Sequence, residues 1–457
     1  MYQKELFSTC PSYLHERFLL TDLGPLHQAI PFIELEKLVP CPAQALSGKG
    51  CKPWFDVQGG IALQFLKHYL RVSDSQLIER INTDWALQYF CGIQLRRDEI
   101  IADKNLPSTW RSYLGQYLDI EKWQAVLSHA WKLYMKETHA SNEDATCYES
   151  YIEYPTYVKI IRKGCNELHL LIQQIRKDAG LRKSRNNYEK FKKVYLSFQK
   201  KRKKSRREEK RIRKKLLKYL RRLIELLSEL TSRYPTPISI GKQTRVNTIR
   251  AIYVQQHDFA YGKTERIDKQ IVSIDKPYIR PIVRGKEVKP VEFGAKVNKL
   301  QVDGINMIEH LSYEAFHEGI RLQDSVRLHQ NMFGKCTLHA ADAIYATNAN
   351  RTYCKAKGIT TNFVAKGREK AAHVEQNQGM RSVLNKERAT RLEGSFGNEK
   401  NHFLLNKVKA RTQHTETCWI FFGLHTANAK QIADRILEKK RKENIPPPEY
   451  GPLLIAA

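Results

Sequence analysis

The chain has 457 residues and a mass of 53.3 kDa, and with 41% hydrophobic residues it can bury the cores of two or three domains. Its opening, MYQKELFSTC, is charged within a few residues, the run from Trp419 to Leu424 is too short to span a bilayer, and nine scattered cysteines contain no CxxC pair. Secretion, membrane insertion, a disulfide framework and a zinc finger are therefore disfavoured, and 78 Lys and Arg against 48 Asp and Glu give a net charge of +30 that points to nucleic acid as partner.

In chain order, residues 12–135 read as mostly helical. Ser73 and Gln76 are spaced as a capping box before an apolar period through Leu77, Ile78 and Ile81. WALQYFCGI and STWRSYLGQYL follow as further helices. Short helices joined by tight turns suit a helix-turn-helix DNA reader and any small helical bundle equally. In NEDATCYESYIEYPT, Asp144 opens an extended stretch rich in Thr, Tyr and Ile. From Lys200 to Arg222 there are 15 basic residues and two acidic ones, running into Leu216, Leu217, Leu220, Leu223, Ile224 and Leu227 at spacings of three and four. This predicts one long amphipathic helix ending before Pro235, with one face packed and the other basic enough to hold DNA.

Beyond the arm the period changes to two. Val291, Phe293, Ala295 and Val297 alternate with polar or small residues as in a half-buried strand, Asp303-Gly304 signals a hairpin, and INMIE returns as the second strand. Ala315, Leu322, Val326 and Phe333 predict one face of a helix closed by Gly334. CTLHAAD is a strand ending on Asp342, TNFVAK a further strand, and a helix then carries Glu393 within RLEGSFGNEK. The order indicates a mixed α/β sheet covered by helices.

An aspartate at a strand end commonly caps the turn that follows, and Asp342 has that plain role open to it. Two-metal phosphoryl transfer also needs such residues, because hard cations about 4 Å apart require several anionic oxygens converging from separate elements. Asp144, Asp342 and Glu393 are candidates; Asp268 and Asp275, flanking the extended KQIVSID, compete with them, and His339 reads as a core or strand histidine. Lys400 lies two helical turns after Glu393, so both project from about the same face. Gly394 and Gly397 each cost a helix about 1 kcal/mol relative to alanine, which suggests a close approach by metal, DNA or backbone, or a broken helix.

Taken in order, SDSQLIERINTDWALQYFCGI, DATCYESYIEYPT, VEFGAKV followed by Asp303-Gly304, ADAIYATNANR and RLEGSFGNEK resemble bacterial insertion-sequence transposases of the DDE class. The resemblance implies an RNase H-like mixed sheet flanked by helices. It implies catalytic, metal-binding roles for Asp144, Asp342 and Glu393, and DNA contact by Lys400. Arg388 and Arg391 are further candidates for DNA contact; relatives commonly place an arginine four residues before the glutamate, where this chain has Ala389. Lys203, Lys204, Arg206, Arg207, Arg211 and Lys214 of the arm complete the candidate DNA-binding set.

Asp342 and Glu393 are 51 positions apart and Asp144 and Asp342 198, so extra material is expected between the first and second core strands. The expected organisation is a helical DNA-binding domain over 1–135, a core of 136–160 with 285–425, an inserted basic arm over 161–284, and a C-terminal helix and tail over 426–457. The implied activity is Mg²⁺-dependent cleavage and strand transfer at terminal inverted repeats, with two ions, Mn²⁺ able to substitute, and a homo-oligomer on double-stranded DNA. The setting is the bacterial cytoplasm and nucleoid. The alternatives are a decayed or domesticated copy that binds DNA without cutting it and a nuclease that cuts without joining.

Overall fold

The computed structural model describes residues 11–42, 53–182, 188–235, 237–283, 290–367 and 371–443. The charged opening, Cys10, Cys51 and the tail beyond 443 lie outside them. Two compact units divide the chain: residues 1–150, 296–312 and 316–457 form one, and 151–295 with 313–315 form the other. The helical segment expected as a separate domain over 1–135 thus shares a unit with the sheet.

In the first unit the helical part comprises α1 (Pro11–Leu19), α2 (Leu23–Gln28), α3 (Phe32–Glu36), α4 (Val57–Leu70), α5 (Asp74–Ile81), α6 (Trp85–Phe90), α7 (Leu106–Tyr117) and α8 (Ile120–Trp131). The capping box at α5 forms: the Gln76 amide N–H donates to Ser73 Oγ at 3.2 Å and the Ser73 N–H to Gln76 Oε1 at 3.0 Å. Leu77, Ile78 and Ile81 are fully buried. α4 and α7 pack so closely that a Cβ on Gly60 would lie 2.2 Å from the Trp110 ring, which explains glycine there.

These helices close on the chain's last described helix, Gln413–Lys442, a single 30-residue element, so the boundary expected at 426 falls within it. Phe421 and Phe422 of that helix meet Trp123 edge-on at 5.7 and 5.8 Å. Beside them, Lys67 and Arg111, each 3% exposed, both ion-pair with Asp74 at 2.7 Å and lie 4.7 and 4.8 Å from the centre of the Trp419 ring. Burial and the neighbouring Arg111 cation pull the Lys67 ammonium down to about 8 despite Asp74.

The sheet of this unit runs β4 (Ile305–Ser312), β3 (Val291–Val302), β1 (Ala140–Glu149), β5 (Leu338–Ala341), β6 (Thr360–Thr361). β3 and β4 are antiparallel, joined at Asp303-Gly304 with φ of 47° and 80°, the paired left-handed conformation of a tight hairpin turn. β1, β5 and β6 are parallel, with Ala140 opposite Leu338 and Glu143 opposite Ala341. The half-buried strand expected at 291–297 is instead buried throughout from Gly294 to Val302, because both faces of β3 are covered. Of the strand expected from TNFVAK only Thr361 is in β6, whose other residue, Thr360, precedes it. Past it the Asn362 side chain replaces the ladder, accepting from the Ala341 N–H at 3.0 Å and donating to its carbonyl at 2.9 Å.

In the second unit, α9 (Tyr157–Asp178), α10 (Tyr188–Lys200), α11 (Arg206–Arg233) and α12 (Ile240–Ala260) surround a core of Ile161, Leu168, Ile172, Leu216, Leu220, Leu223, Leu227 and Ile249. The helix expected to run unbroken through the basic segment is interrupted at 201–205, where Ser205 caps α11 by accepting from the Glu208 N–H at 3.2 Å. A short strand, β2 (Pro281–Val283), pairs antiparallel with residues Val291 to Phe293. Back in the first unit, the helix expected to include Ala315 is α13 (Leu322–Phe333); Ala315 itself is exposed and precedes it. α14 (Asn348–Lys357) then leads from β5 to β6.

The Asp74 knot yields a stability test. Asp74→Ala leaves two buried cations unpaired and should cost about 3–5 kcal/mol in denaturant unfolding. A loss near zero would show that Trp419, the Val72 carbonyl and the Gln64 side chain suffice to hold them.

Candidate active site

Parallel pairing of β1 and β5 sets the site. One step beyond the Glu143–Ala341 pair come Asp144 of β1 and Asp342, the residue that follows the end of β5. Side chains alternate along β1, so Asp144, Thr146 and Tyr148 share one face while Glu143 belongs to the other. Asp342 is exposed and also does what strand-end aspartates commonly do: its carboxylate accepts from the Ala343 N–H at 2.8 Å, capping the short turn Ala343–Tyr345.

The third carboxylate arrives by a helix with a defect. Helix α15 (Ala371–Glu387) passes into a π-helical turn, Arg388–Leu392, before α16 (Glu393–His402), and the Glu393 N–H donates to the carbonyl of Arg388, five residues back. This wider turn lays Arg388 directly over Glu393. The arginine reaches Asp144 Oδ2 at 3.0 Å and Glu393 Oε1 at 3.4 Å, bridging two of the three candidates. In an ordinary α-helix the residue four positions earlier would stand there, and that residue is Ala389.

The electrostatics at Asp144 are governed first by burial and then by its charged neighbours. Burial pushes the Asp144 carboxyl up to about 6; the Ala145 N–H and Arg388 pull it down, and Glu318 and Asp342 push it further up. Glu318, itself paired with Lys296 at 2.7 Å, is a fourth acidic neighbour that no sequence signal marked. Lys400 lies back on β1, its Nζ 3.0 Å from Thr146 Oγ1 and 5.9 Å from the centre of the Tyr148 ring. Arg391 is exposed and pairs with Glu387 at 2.9 Å.

A second glutamate in RLEGSFGNEK behaves differently. Glu399 is fully buried and bonded to Lys299 at 2.7 Å, Asn306 at 3.0 Å and the Tyr148 hydroxyl, while Asn306 is held in turn by Asn428. It anchors α16 to the sheet and leaves Glu393 as the exposed member. A Cβ at Gly394 or Gly397 would meet nothing within 4 Å among the described residues, so no described backbone makes the close approach expected there.

The competing aspartates belong to the second unit. Asp275 is held by Lys163 and Arg245, whose cations outweigh its burial and lower its carboxyl, and Asp268 pairs with Arg266 at 2.9 Å. In the same unit Lys203, Lys204, Arg206, Arg207, Arg211 and Lys214 are all exposed, with Lys214 4.8 Å from the centre of the Tyr261 ring.

Among the described residues no three His, Cys, Asp or Glu groups are placed to share a metal ion. Asp144 and Glu393 nevertheless share a cation, the Arg388 guanidinium, and Asp342 is electrostatically coupled to Asp144. The donors are hard anionic oxygens, the ligand type that divalent ions such as Mg²⁺ prefer.

Residues 339–425 match the family model described as a transposase DDE domain, and residues 19–113 match a transposase domain (DUF772). Together the two matches indicate an insertion-sequence transposase of the DDE class. Transposases act on DNA, and DDE domains generally use divalent metal ions. The DDE match includes Asp342, Glu393 and Lys400, while Asp144 lies outside both. No curated protein and no solved structure matches the chain. Among the described residues no helix is long and apolar enough to cross a membrane.

Because the Asp144 carboxyl is raised from 3.8 to about 6, the stability it contributes is fully present below the lower value and lost as pH rises through the higher. In the metal-free protein Asp144→Asn should therefore be more stable than wild type at pH 7.5, by on the order of 2–3 kcal/mol. Near pH 3.5 the advantage should vanish; an equal difference in urea midpoint at both pH values would contradict this electrostatic account.

Proposed function

We propose that the first unit carries an RNase H-like catalytic core, in which Asp144, Asp342 and Glu393 hold two Mg²⁺ ions for cleavage and strand transfer at the ends of the element. The observation that carries this reading is the convergence of Asp144 and Glu393 on one guanidinium, with Asp342 on the strand beside Asp144. The sheet order supports it: with β2 left out, the strands run 3-2-1-4-5, and the two aspartates come from adjacent first and fourth strands. When bound, divalent ions would lower the pKa of an attacking water and neutralise charge on the reacting phosphoryl group. Asp144 and Asp342 orient that site from the sheet and Glu393 closes it from α16. Arg388 would exchange its carboxylates for a DNA phosphate, and Lys400, over Thr146, would position the strand end.

Changing Asp144, Asp342 or Glu393 singly to alanine should abolish nicking of a terminal-repeat duplex in Mg²⁺ or Mn²⁺ while leaving binding nearly intact. Robust cleavage by all three variants would overturn the assignment. One observation favours a second reading, a non-catalytic DNA-binding copy: Arg388 already satisfies two of the carboxylates internally. Wild-type binding without nicking would establish that reading, and nicking without joined product would indicate a nuclease.

We further infer that the basic arm tracks the DNA backbone. Replacing Arg206, Arg207 and Arg211 with alanine should weaken binding across sequences and flatten the slope of log K against log salt by about 0.9 for each phosphate that is no longer neutralised. An unchanged slope in fluorescence anisotropy titrations would remove the arm from the interface.

A further inference from the structure

Behind the two strand aspartates, on the opposite face of the sheet, lies a closed polar hub. Asn298 of β3 is fully buried; its amide donates to Glu143 Oε1 at 2.7 Å and Glu309 Oε2 at 2.9 Å, and its carbonyl oxygen accepts from the Tyr345 hydroxyl at 2.6 Å. Glu143 is fully buried as well, accepts from the Ser325 hydroxyl, and lies 3.0 Å from His339 Nε2. His339 Nδ1 is 2.9 Å from Ser141 Oγ, which returns the network to β1.

The attachment points of this hub are uneven. Glu143 immediately precedes Asp144; His339 and Tyr345 stand three residues before and three after Asp342. The hub therefore holds β1 beside its aspartate and grips the second aspartate's segment on both sides. Burying a carboxylate and its partners is costly unless every group is satisfied, and apolar residues of the same volume would pack the sheet equally well. Satisfied polar networks fix geometry more sharply than apolar contacts, and groups behind metal-binding side chains typically govern affinity by about 10–100-fold.

We propose that Glu143, Asn298 and Tyr345 form a positioning network that sets the spacing of Asp144 and Asp342, and so tunes the affinity of the site for a divalent cation that none of them touches. The proposal rests on the metal-binding role proposed above for those aspartates. Tyr345→Phe keeps the ring and removes the hydroxyl, and Ser325→Ala removes one donor to Glu143; either serves should the other fail to fold.

Binding is read from the free Mn²⁺ signal in electron paramagnetic resonance on the full-length protein with its terminal-repeat duplex, and independently from the Mg²⁺ concentration giving half-maximal nicking. Both variants should bind Mn²⁺ about 10-fold more weakly and shift the Mg²⁺ requirement in the same sense, with nicking recovered at high Mg²⁺. A lowered melting temperature with unchanged Mn²⁺ binding would mean a purely structural network and overturn the proposal alone. A wild-type protein that binds no Mn²⁺ would overturn the parent reading and this one together.

Discussion

Carboxylates of like charge do not gather in a half-buried cleft without a cation, and the ion pair of Arg388 with Asp144 and Glu393 meets that constraint here. Asp144 remains raised even so, because burial disfavours its ionised form and Glu318 and Asp342 add to the effect, against the pull of the Ala145 N–H and Arg388. The site is therefore under electrostatic tension, and a small doubly charged ion would relieve more of it than a guanidinium can. The surroundings must be stiff enough to keep the acids together meanwhile. Parallel pairing of β1 with β5 supplies that for the aspartates, and the buried anchoring of Glu399 supplies it for α16.

Glu399 and Glu393 illustrate how the same residue type divides its work. They lie six positions apart, so they project from different sides of α16. One is sealed against Lys299, where losing either partner would leave an uncompensated buried charge; the other stays exposed and able to move. The helix is thus held by one glutamate while the other remains exposed on its surface. The polar core continues through Asn306 and Asn428 into the last helix, which also buries the aromatic side of the N-terminal helices. This continuity explains why those helices and the sheet form one compact unit.

Much of this architecture was readable from local sequence rules. The Ser73–Gln76 cap, the Asp303-Gly304 hairpin, the buried leucine period of α11 and the strand ending at Asp342 follow from chemistry contained within a few residues. Features that arise between distant segments were not readable. The burial of β3 from Gly294 onward depends on what covers its second face, and β6 is short because the Asn362 side chain takes over its pairing. Glu318 became a neighbour of Asp144 only through the turn after β4, and the hub on Asn298 draws on five other elements. Ser205 was readable as a cap in principle, but the surrounding basic run masks it.

The π-helical turn before Glu393 has a consequence for how such chains are compared. An inserted residue in a helix ordinarily rotates everything upstream by about 100°, which would turn a guanidinium away from its acid. Widening a single turn would absorb such a residue locally, and here it lets an arginine five positions before the glutamate pair with it. Counting residues alone would set Ala389 over Glu393, whereas the three-dimensional structure sets the Arg388 guanidinium there. A helix can therefore carry one residue more at this point and still present the charge that balances its acids.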